Sequence, residues 1–272
     1  MKSILLHVQD NQTLVPRLEA ALALARAFSA HLSCLHVTPI EAYAAVGAFD
    51  GAIFLPDVAD ALGKEEAQAR SKIEEQLAAE DVSWDYEQVT GPVANVIIKH
   101  AALADLVVTG REDGGLAARR MMQIGLLGDL LHRCRTPLYI PPADGTPIDP
   151  VAPVLIAWDG SFEAANAVRS ALPFLKGAAS VLALEVRRSS EDEFPSTRLM
   201  EYLSRHDIHA ELRTGVTTHE DVATVIVREA SRAGVGTIVM GGYNHSRIGE
   251  LVFGGVTRTL LLDCPLPLLM AH

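Results

Sequence analysis

Two glycine clusters near the end of the chain have a spacing that could hold a phosphate group. Residues 237–241 form an apolar, strand-like run that ends at Gly241. A second glycine pair, Gly254 and Gly255, precedes a helix-like segment. Unpaired backbone N–H groups at a helix N-terminus attract anions, and glycine allows a ligand to approach the main chain closely. The segment 237–257 therefore predicts a phosphate-binding loop between a strand and a helix.

The elements that must position this loop occur twice in the chain. Residues 3–10 and 153–159 are apolar runs that end in an acid, and residues 91–110 parallel residues 221–241. The strand-ending glycines Gly110 and Gly241 are 131 positions apart (241 − 110). This self-similarity indicates a tandem duplication. We place the domains at 1–142 and 151–272, joined by a proline- and glycine-containing linker at 143–150.

Each copy alternates short apolar runs with amphipathic segments of helix length. This pattern is typical of an open parallel α/β sheet with helices on both faces. Ligands of such sheets bind outside the carboxyl ends of the strands, where the strand order reverses, so Asp159 and Gly241 should face one crevice. In the second copy we expect strands near Val154–Ala157, Val181–Val186, His209–Arg213, Ile238–Met240 and Leu266–Met270, and helices that begin near Ser161, Ser196, His219 and Gly255.

Composition excludes several classes of function. The 272 residues carry a formal net charge of −11, which argues against a nucleic-acid backbone or an anionic membrane as the partner. No run reaches the roughly 18–20 apolar residues of a membrane span, and the N-terminus lacks the pattern of a secretory signal, so we expect a cytoplasmic protein. The three cysteines are scattered and predict buried free thiols.

The loop resembles the nucleotide loop of the universal stress protein family, whose pattern is Gly, two residues, Gly, nine residues, Gly, then Ser or Thr. Gly241 and Gly254 match, while Asn244 and Gly255 replace the second glycine and the hydroxyl residue. The resemblance covers essentially the whole chain and is stronger in 151–272. It implies Rossmann-like sheets with strand order 3-2-1-4-5 that dock through their last strands, here 136–141 and 266–270, as a pseudo-dimer within one chain.

The resemblance also implies a set of nucleotide-contacting positions in the second domain. Asp159 and the main chain of Val186 would lie near an adenine, and His245 and Arg247 would lie near the phosphates. The N–H groups of the helix start would bind the phosphates even without the lost hydroxyl, which Thr257 could replace. The full set of candidate cofactor-binding residues is Ala157, Asp159, Val186, Met240, Gly241, Tyr243, Asn244, His245, Gly254, Gly255, Val256 and Thr257.

Each of these positions also has a purely structural interpretation. Asp159 could cap the turn before a helix, with Ser161 as its N-cap. Gly241 could serve a tight turn that needs a positive φ, and Asn244 tolerates the left-handed region best after glycine. His245 and Arg247 could be solvated loop residues.

The first copy departs further from the family pattern. The gap from Gly110 to Gly128 is 18 residues (128 − 110), against 13 from Gly241 to Gly254 (254 − 241). Asp129 then takes the phosphate-reading place, where a carboxylate at a helix start would satisfy the dipole and repel phosphates. We expect the first site to be inactive.

We find no residue pattern for catalysis or a metal. His206 and His209 lack an evident third ligand, and no Gly-x-Ser-x-Gly follows a strand. The first hypothesis is a stress-response regulator that binds ATP, with or without Mg²⁺, or a related adenine nucleotide in the second domain and acts on a protein partner. The alternative is a nucleotide-free interaction or scaffold protein with a relic loop. An ATP-cleaving enzyme has least support, and dimerisation of the whole chain stays open.

Overall fold

A computed structural model of the chain describes residues 1–9, 11–39, 67–68, 70–111, 117–187, 196–216, 220–242 and 255–272. The strands are β1 Ser3–Val8, β2 His31–Pro39, β3 Trp84–Gly91, β4 Leu106–Val108, β5 Leu138–Ile140, β6 Val154–Trp158, β7 Val181–Arg187, β8 Ala210–Val216, β9 Thr237–Gly241 and β10 Leu268–Ala271. The helices are α1 Leu14–Phe28, α2 at 70–78, α3 Val93–His100, α4 Ala117–Arg133, α5 Phe162–Ser170, α6 Leu172–Gly177, α7 Ser196–Arg205, α8 Val222–Arg232 and α9 Gly255–Asp263.

The described strands form one ten-stranded sheet in the order β3-β2-β1-β4-β5-β10-β9-β6-β7-β8. Each half of that order is 3-2-1-4-5 when its own strands are numbered along the chain. Every pairing inside a half is parallel, so the α/β fold and strand order expected from the sequence are confirmed.

The two halves join through their last strands. β5 and β10 pair antiparallel, with Leu269 opposite Tyr139. The pairing confirms the docking strands predicted from 136–141 and 266–270, because each apolar last strand covers the edge of the other. The carboxyl edge of one half therefore lies on the same side as the amino edge of the other half.

The core continues across this junction on both faces of the sheet. Each of the two buried clusters contains side chains from both halves. On one face, Phe174 of the second half lies between two rings of the first, at a centroid distance of 5.0 Å from Phe28 and 5.7 Å from Tyr139. The Tyr139 hydroxyl lies 3.3 Å from the Thr237 hydroxyl, across the junction. The halves consequently share one apolar interior.

Most elements lie close to their expected positions. β8 begins at Ala210 rather than His209, β10 begins at Leu268 rather than Leu266, and α8 begins at Val222 rather than near His219. The short helix α6 was not expected, because Pro173 at its start makes the segment resemble a helix end in sequence alone. Residues 141–153 form neither helix nor strand, in keeping with their prolines.

Candidate functional site

The predicted crevice lies at the carboxyl ends of β6 and β9. These strands are neighbours, yet the chain proceeds from β6 outward through β7 and β8, and from β9 in the other direction to β10. This is the switch point at which open parallel sheets bind ligands. Ala157 and Met240 are register partners there, and Asp159 and Gly241 follow at the strand ends.

Asp159 organises the turn that leads into α5. Its Oδ1 accepts hydrogen bonds from the Ser161 backbone N–H (3.0 Å) and from the Ser161 hydroxyl (2.6 Å). The Ser161 Oγ in turn accepts from the Ala164 N–H at 3.0 Å, so Ser161 is the N-cap expected from the sequence. Asp159 is exposed, and its carboxylate stands at the crevice edge while it holds this cap.

Gly241 is required for close packing, which differs from the positive-φ turn considered above. A Cβ atom at Gly241 would lie 2.6 Å from the Ala164 backbone nitrogen and 2.8 Å from the Glu163 carbonyl carbon. The first turn of α5 therefore rests directly on the end of β9. The left-handed glycine at this edge is Gly160, with a φ of 80° in the turn after Asp159.

Four predicted apolar positions share one face of the sheet. Met240 is buried in a core cluster, and Ala157, Val186 and Val256 are partly buried hydrophobic residues packed against that same cluster. By strand register Ala157 lies between Leu184 and Met240, and Val186 lies two residues further toward the carboxyl end of β7. Together they provide an apolar, partly exposed surface at the crevice.

The N-terminus of α9 provides the predicted N–H donors. α9 connects the parallel strands β9 and β10, so it runs back along the sheet and begins at the carboxyl edge. Gly255 is the first residue of α9 that the structure describes, and it is exposed. A Cβ added there would have no heavy atom of the described residues within 4 Å. Thr257 is buried, at 7% exposure.

Four of the predicted residues lie outside the described part of the chain: Tyr243, Asn244, His245 and Gly254. Arg247 lies outside it as well. Their contacts with a nucleotide remain predictions.

The structure corrects the sequence alignment of the first half. α4 runs from Ala117 to Arg133, so Asp129 lies four residues before the helix end rather than at a helix start. α4 and α9 end 130 residues apart (263 − 133). Counted back by this offset, the counterpart of Gly255 is Gly125, not Gly128 or Asp129. The N–H groups at these positions lie inside a continuous helix, where they bond to carbonyls four residues earlier.

Arg17 occupies the matching crevice of the first half. It is 1% exposed, its Nε donates to the Thr13 carbonyl (3.2 Å), and its Nη2 donates to the Gln9 carbonyl (3.0 Å) and to Asn11 Oδ1 (2.7 Å). A Cβ at Gly110 would come within 2.5 Å of the Arg17 Cδ. A buried arginine thus lies over the strand end.

Asn11 is the first-half counterpart of Asp159 by its hydrogen bonds. Its Oδ1 accepts from the Thr13 N–H (3.1 Å) and the Thr13 hydroxyl (3.0 Å), as Asp159 accepts from Ser161. Sequence alignment pointed to Asp10 instead, which lies outside the described residues. Only the repeated Asx-x-Ser/Thr spacing before a helix could have identified Asn11.

Three acidic residues lie near the second-half crevice, and Arg187 ends β7 at the same edge. Asp159 is exposed, Glu163 lies in the first turn of α5, and Glu185 is buried on β7 beside Trp158. In the first half, burial and then the nearby Arg17 lower the pKa of His7 to about 3, so this imidazole is neutral. The His7 Nδ1 lies 3.4 Å from the Thr109 hydroxyl.

Duplicated open parallel sheets, paired edge to edge within one chain, define a tandem Rossmann-like α/β protein. The sequence profile of the Universal stress protein family matches residues 1–140 and again residues 151–272. The chain therefore belongs to the universal stress protein family, in its tandem form.

Solved structures agree on the fold. A universal stress protein from Archaeoglobus fulgidus DSM 4304 aligns over 99% of this chain and 96% of its own, with a TM-score of 0.73 and 15% identity. A protein of unknown function from Pseudomonas aeruginosa PAO1 aligns over 100% of this chain and 92% of its own, with a TM-score of 0.62 and 13% identity. No functionally curated protein sequence matches the chain.

None of the helices among the described residues is long and apolar enough to cross a membrane. No group of three or more His, Cys, Asp or Glu side chains in the same part of the chain is arranged to hold a metal ion. The three cysteines are free and buried, as expected.

Proposed function

We propose that this universal stress protein is a stress-response regulator whose second half binds ATP or a related adenine nucleotide. The observation that carries the proposal is the exposed Gly255, which no other described residue covers, beside a partly exposed apolar surface at the switch point of the sheet. The apolar surface suits a base, and the helix N-terminus suits phosphates.

The contrast between the halves supports a single site per chain. In the first half the corresponding N–H groups lie within α4, and Arg17 occupies the strand ends. Among the described residues, the exposed glycine at this position of the last helix therefore occurs in the second half. We propose 1–142 and 151–272 as the domains, linked by 143–150, with the cytoplasm as the location.

The acidic crevice bears on the form of the ligand. Asp159 and Glu163 would repel an uncompensated triphosphate, so we propose that ATP binds with Mg²⁺ or with cations from the segment 243–254. The same acidity favours the alternative, a nucleotide-free interaction protein whose surface is read by a partner.

Isothermal titration of ATP with Mg²⁺ into the whole chain tests the proposal. We expect saturable binding near one ATP per chain.

Gly255→Ser restores the family hydroxyl, and one added hydrogen bond of about 1 kcal/mol should tighten binding by about fivefold. Gly255→Asp should weaken it by tenfold or more, at least about 1.4 kcal/mol, because a carboxylate at the helix start repels phosphate.

Gly255→Asn is the matched control for Gly255→Asp, since it has the same shape without the charge. It should weaken binding clearly less than the aspartate. The absence of heat and of a thermal shift at millimolar ATP would contradict nucleotide binding and leave the interaction protein as the better account.

A further inference from the structure

One arginine of the first half holds the helix that carries the proposed site in the second half. Arg111 follows Gly110 at the carboxyl edge of the first-half sheet and is 7% exposed. Its Nη1 donates to the carbonyls of Leu260 (3.3 Å) and Leu261 (3.4 Å), and its Nη2 donates to the Leu266 carbonyl (3.4 Å). Arg111 therefore caps the C-terminus of α9.

α9 does not supply this positive charge itself. Its last turn contains no basic residue and ends in Asp263, whereas the last turn of α4 contains His132 and Arg133. The last carbonyls of a helix lack partners within it and carry the negative end of the dipole. Arg111 donates to two of these carbonyls, those of Leu260 and Leu261, from outside the second half.

The residue of the second half that corresponds to Arg111 does not cap a helix of the first half. The counterpart of Arg111 is Gly242, also 131 residues on (242 − 111), and a Cβ there would lie 3.0 Å from the Leu131 Cδ2 on α4. The contact between the crevice edge of one half and the last helix of the other thus consists of charge-assisted hydrogen bonds in one direction and of apolar packing in the other. Of the described contacts in this pseudo-symmetric pair, the one to α9 is made by a buried arginine.

The two ends of α9 then face different halves. The helix has nine residues and spans about 13 Å, with Gly255 at one end and the Arg111 contact at the other. A change in how the C-terminus is held displaces the N-terminus, because a helix moves as a rigid element. Phosphate donors must be placed within a few tenths of an ångström to bind well.

We infer that Arg111 is a positioning residue for the proposed nucleotide site, acting from the first half by fixing α9. The identity of the ligand in this inference rests on the proposed function. The way in which Arg111 would act rests on its hydrogen bonds to the end of α9. It gives the first half, which we expect to bind no nucleotide, a defined part in binding by the second.

Arg111→Met tests the inference in the full chain, with Arg133→Met as the control. Methionine keeps the length and removes the donors, and Arg133 is an exposed arginine that bonds to Asn95 on α3. In Arg111→Met, we expect the amides of residues 260–264 to exchange hydrogen at least tenfold faster without nucleotide. The ATP dissociation constant should rise by about three- to tenfold with unchanged stoichiometry.

The control should change neither quantity, and Arg111→Lys, which keeps the charge but not the two-pronged geometry, should give intermediate values. Wild-type exchange in α9, or an equal increase throughout the chain, would overturn the inference. Faster local exchange with unchanged ATP affinity would overturn the coupling to the site. A wild-type chain that binds no ATP would remove the proposed site and the positioning role with it, while the exchange data would still decide whether Arg111 holds α9.

Discussion

At the scale of single residues, the halves differ in the charges they bury. The first half encloses Arg17 and His7 near the carboxyl ends of its strands, where the second half has Ala157 in the place of His7 by sheet register. Buried polar groups of this kind need fixed partners, and Arg17 and His7 have them. The first-half crevice is therefore filled by its own side chains.

His7 should make the fold sensitive to acid. Its pKa of about 3 in the folded chain lies below the usual 6.5, so the unfolded state binds more protons as the pH falls below 6.5. Between pH 7 and pH 5 this should lower the free energy of unfolding by about 2 kcal/mol. Urea unfolding of His7→Asn should show a pH dependence that is flatter by about that amount.

His209→Asn provides the control, because His209 is exposed. Its pH dependence should follow that of the wild type. Equal slopes for His7→Asn and the wild type would show that His7 does not remain neutral in the fold.

At the scale of elements, the approach of α5 to β9 sets the shape of the candidate site. Gly241 has no side chain, and this allows the first turn of α5 to lie against the strand end, with Asp159 and Ser161 fixing the turn before it. The glycine of the family pattern thus has a packing role that does not depend on a ligand.

Gly241→Ala should therefore destabilise the chain with or without nucleotide. The new methyl group would meet backbone atoms of Glu163 and Ala164, which cannot move aside as a side chain end could. We expect a loss of about 1–3 kcal/mol in the free energy of unfolding by urea. Gly255→Ala, whose Cβ would meet no other described residue, should stay within about 0.5 kcal/mol of the wild type. Equal stability of the two variants would contradict the packing role.

At the scale of the whole molecule, the two halves share one core, and we expect them to unfold together. Both core clusters cross the junction, β5 pairs with β10, and Arg111 of one half caps a helix of the other. Domains that share a core in this way lose much of their apolar burial when separated. Neither half should persist once the other has unfolded.

The two tryptophans allow a direct test, since Trp84 lies in the first half and Trp158 in the second. Trp84→Phe leaves a reporter in the second half, and Trp158→Phe leaves one in the first. Urea transitions followed by fluorescence in each variant should coincide with the transition followed by circular dichroism of that variant. Within either variant, two separated transitions would show that the halves unfold independently.

The family resemblance supplied the strand order and the docking strands, whereas the sequence by itself determined the duplication, the parallel α/β class and the cap at Ser161. These follow from local periodicity, proline and glycine positions and short polar spacings, which act within a few residues. The spacing of Gly241 and Gly254 also pointed to the switch point and to α9.

Only the tertiary structure decided which residues from distant parts of the chain contact each other. The length of α4 moved Asp129 away from any helix start, Arg17 filled the first crevice, and Arg111 reached a helix about 150 residues further along the chain. Such contacts join residues that are distant in sequence, and their energies depend on burial and partner geometry. No local pattern records them, because an arginine has the same local preferences whether it ends in solvent or at the end of a helix in the other half.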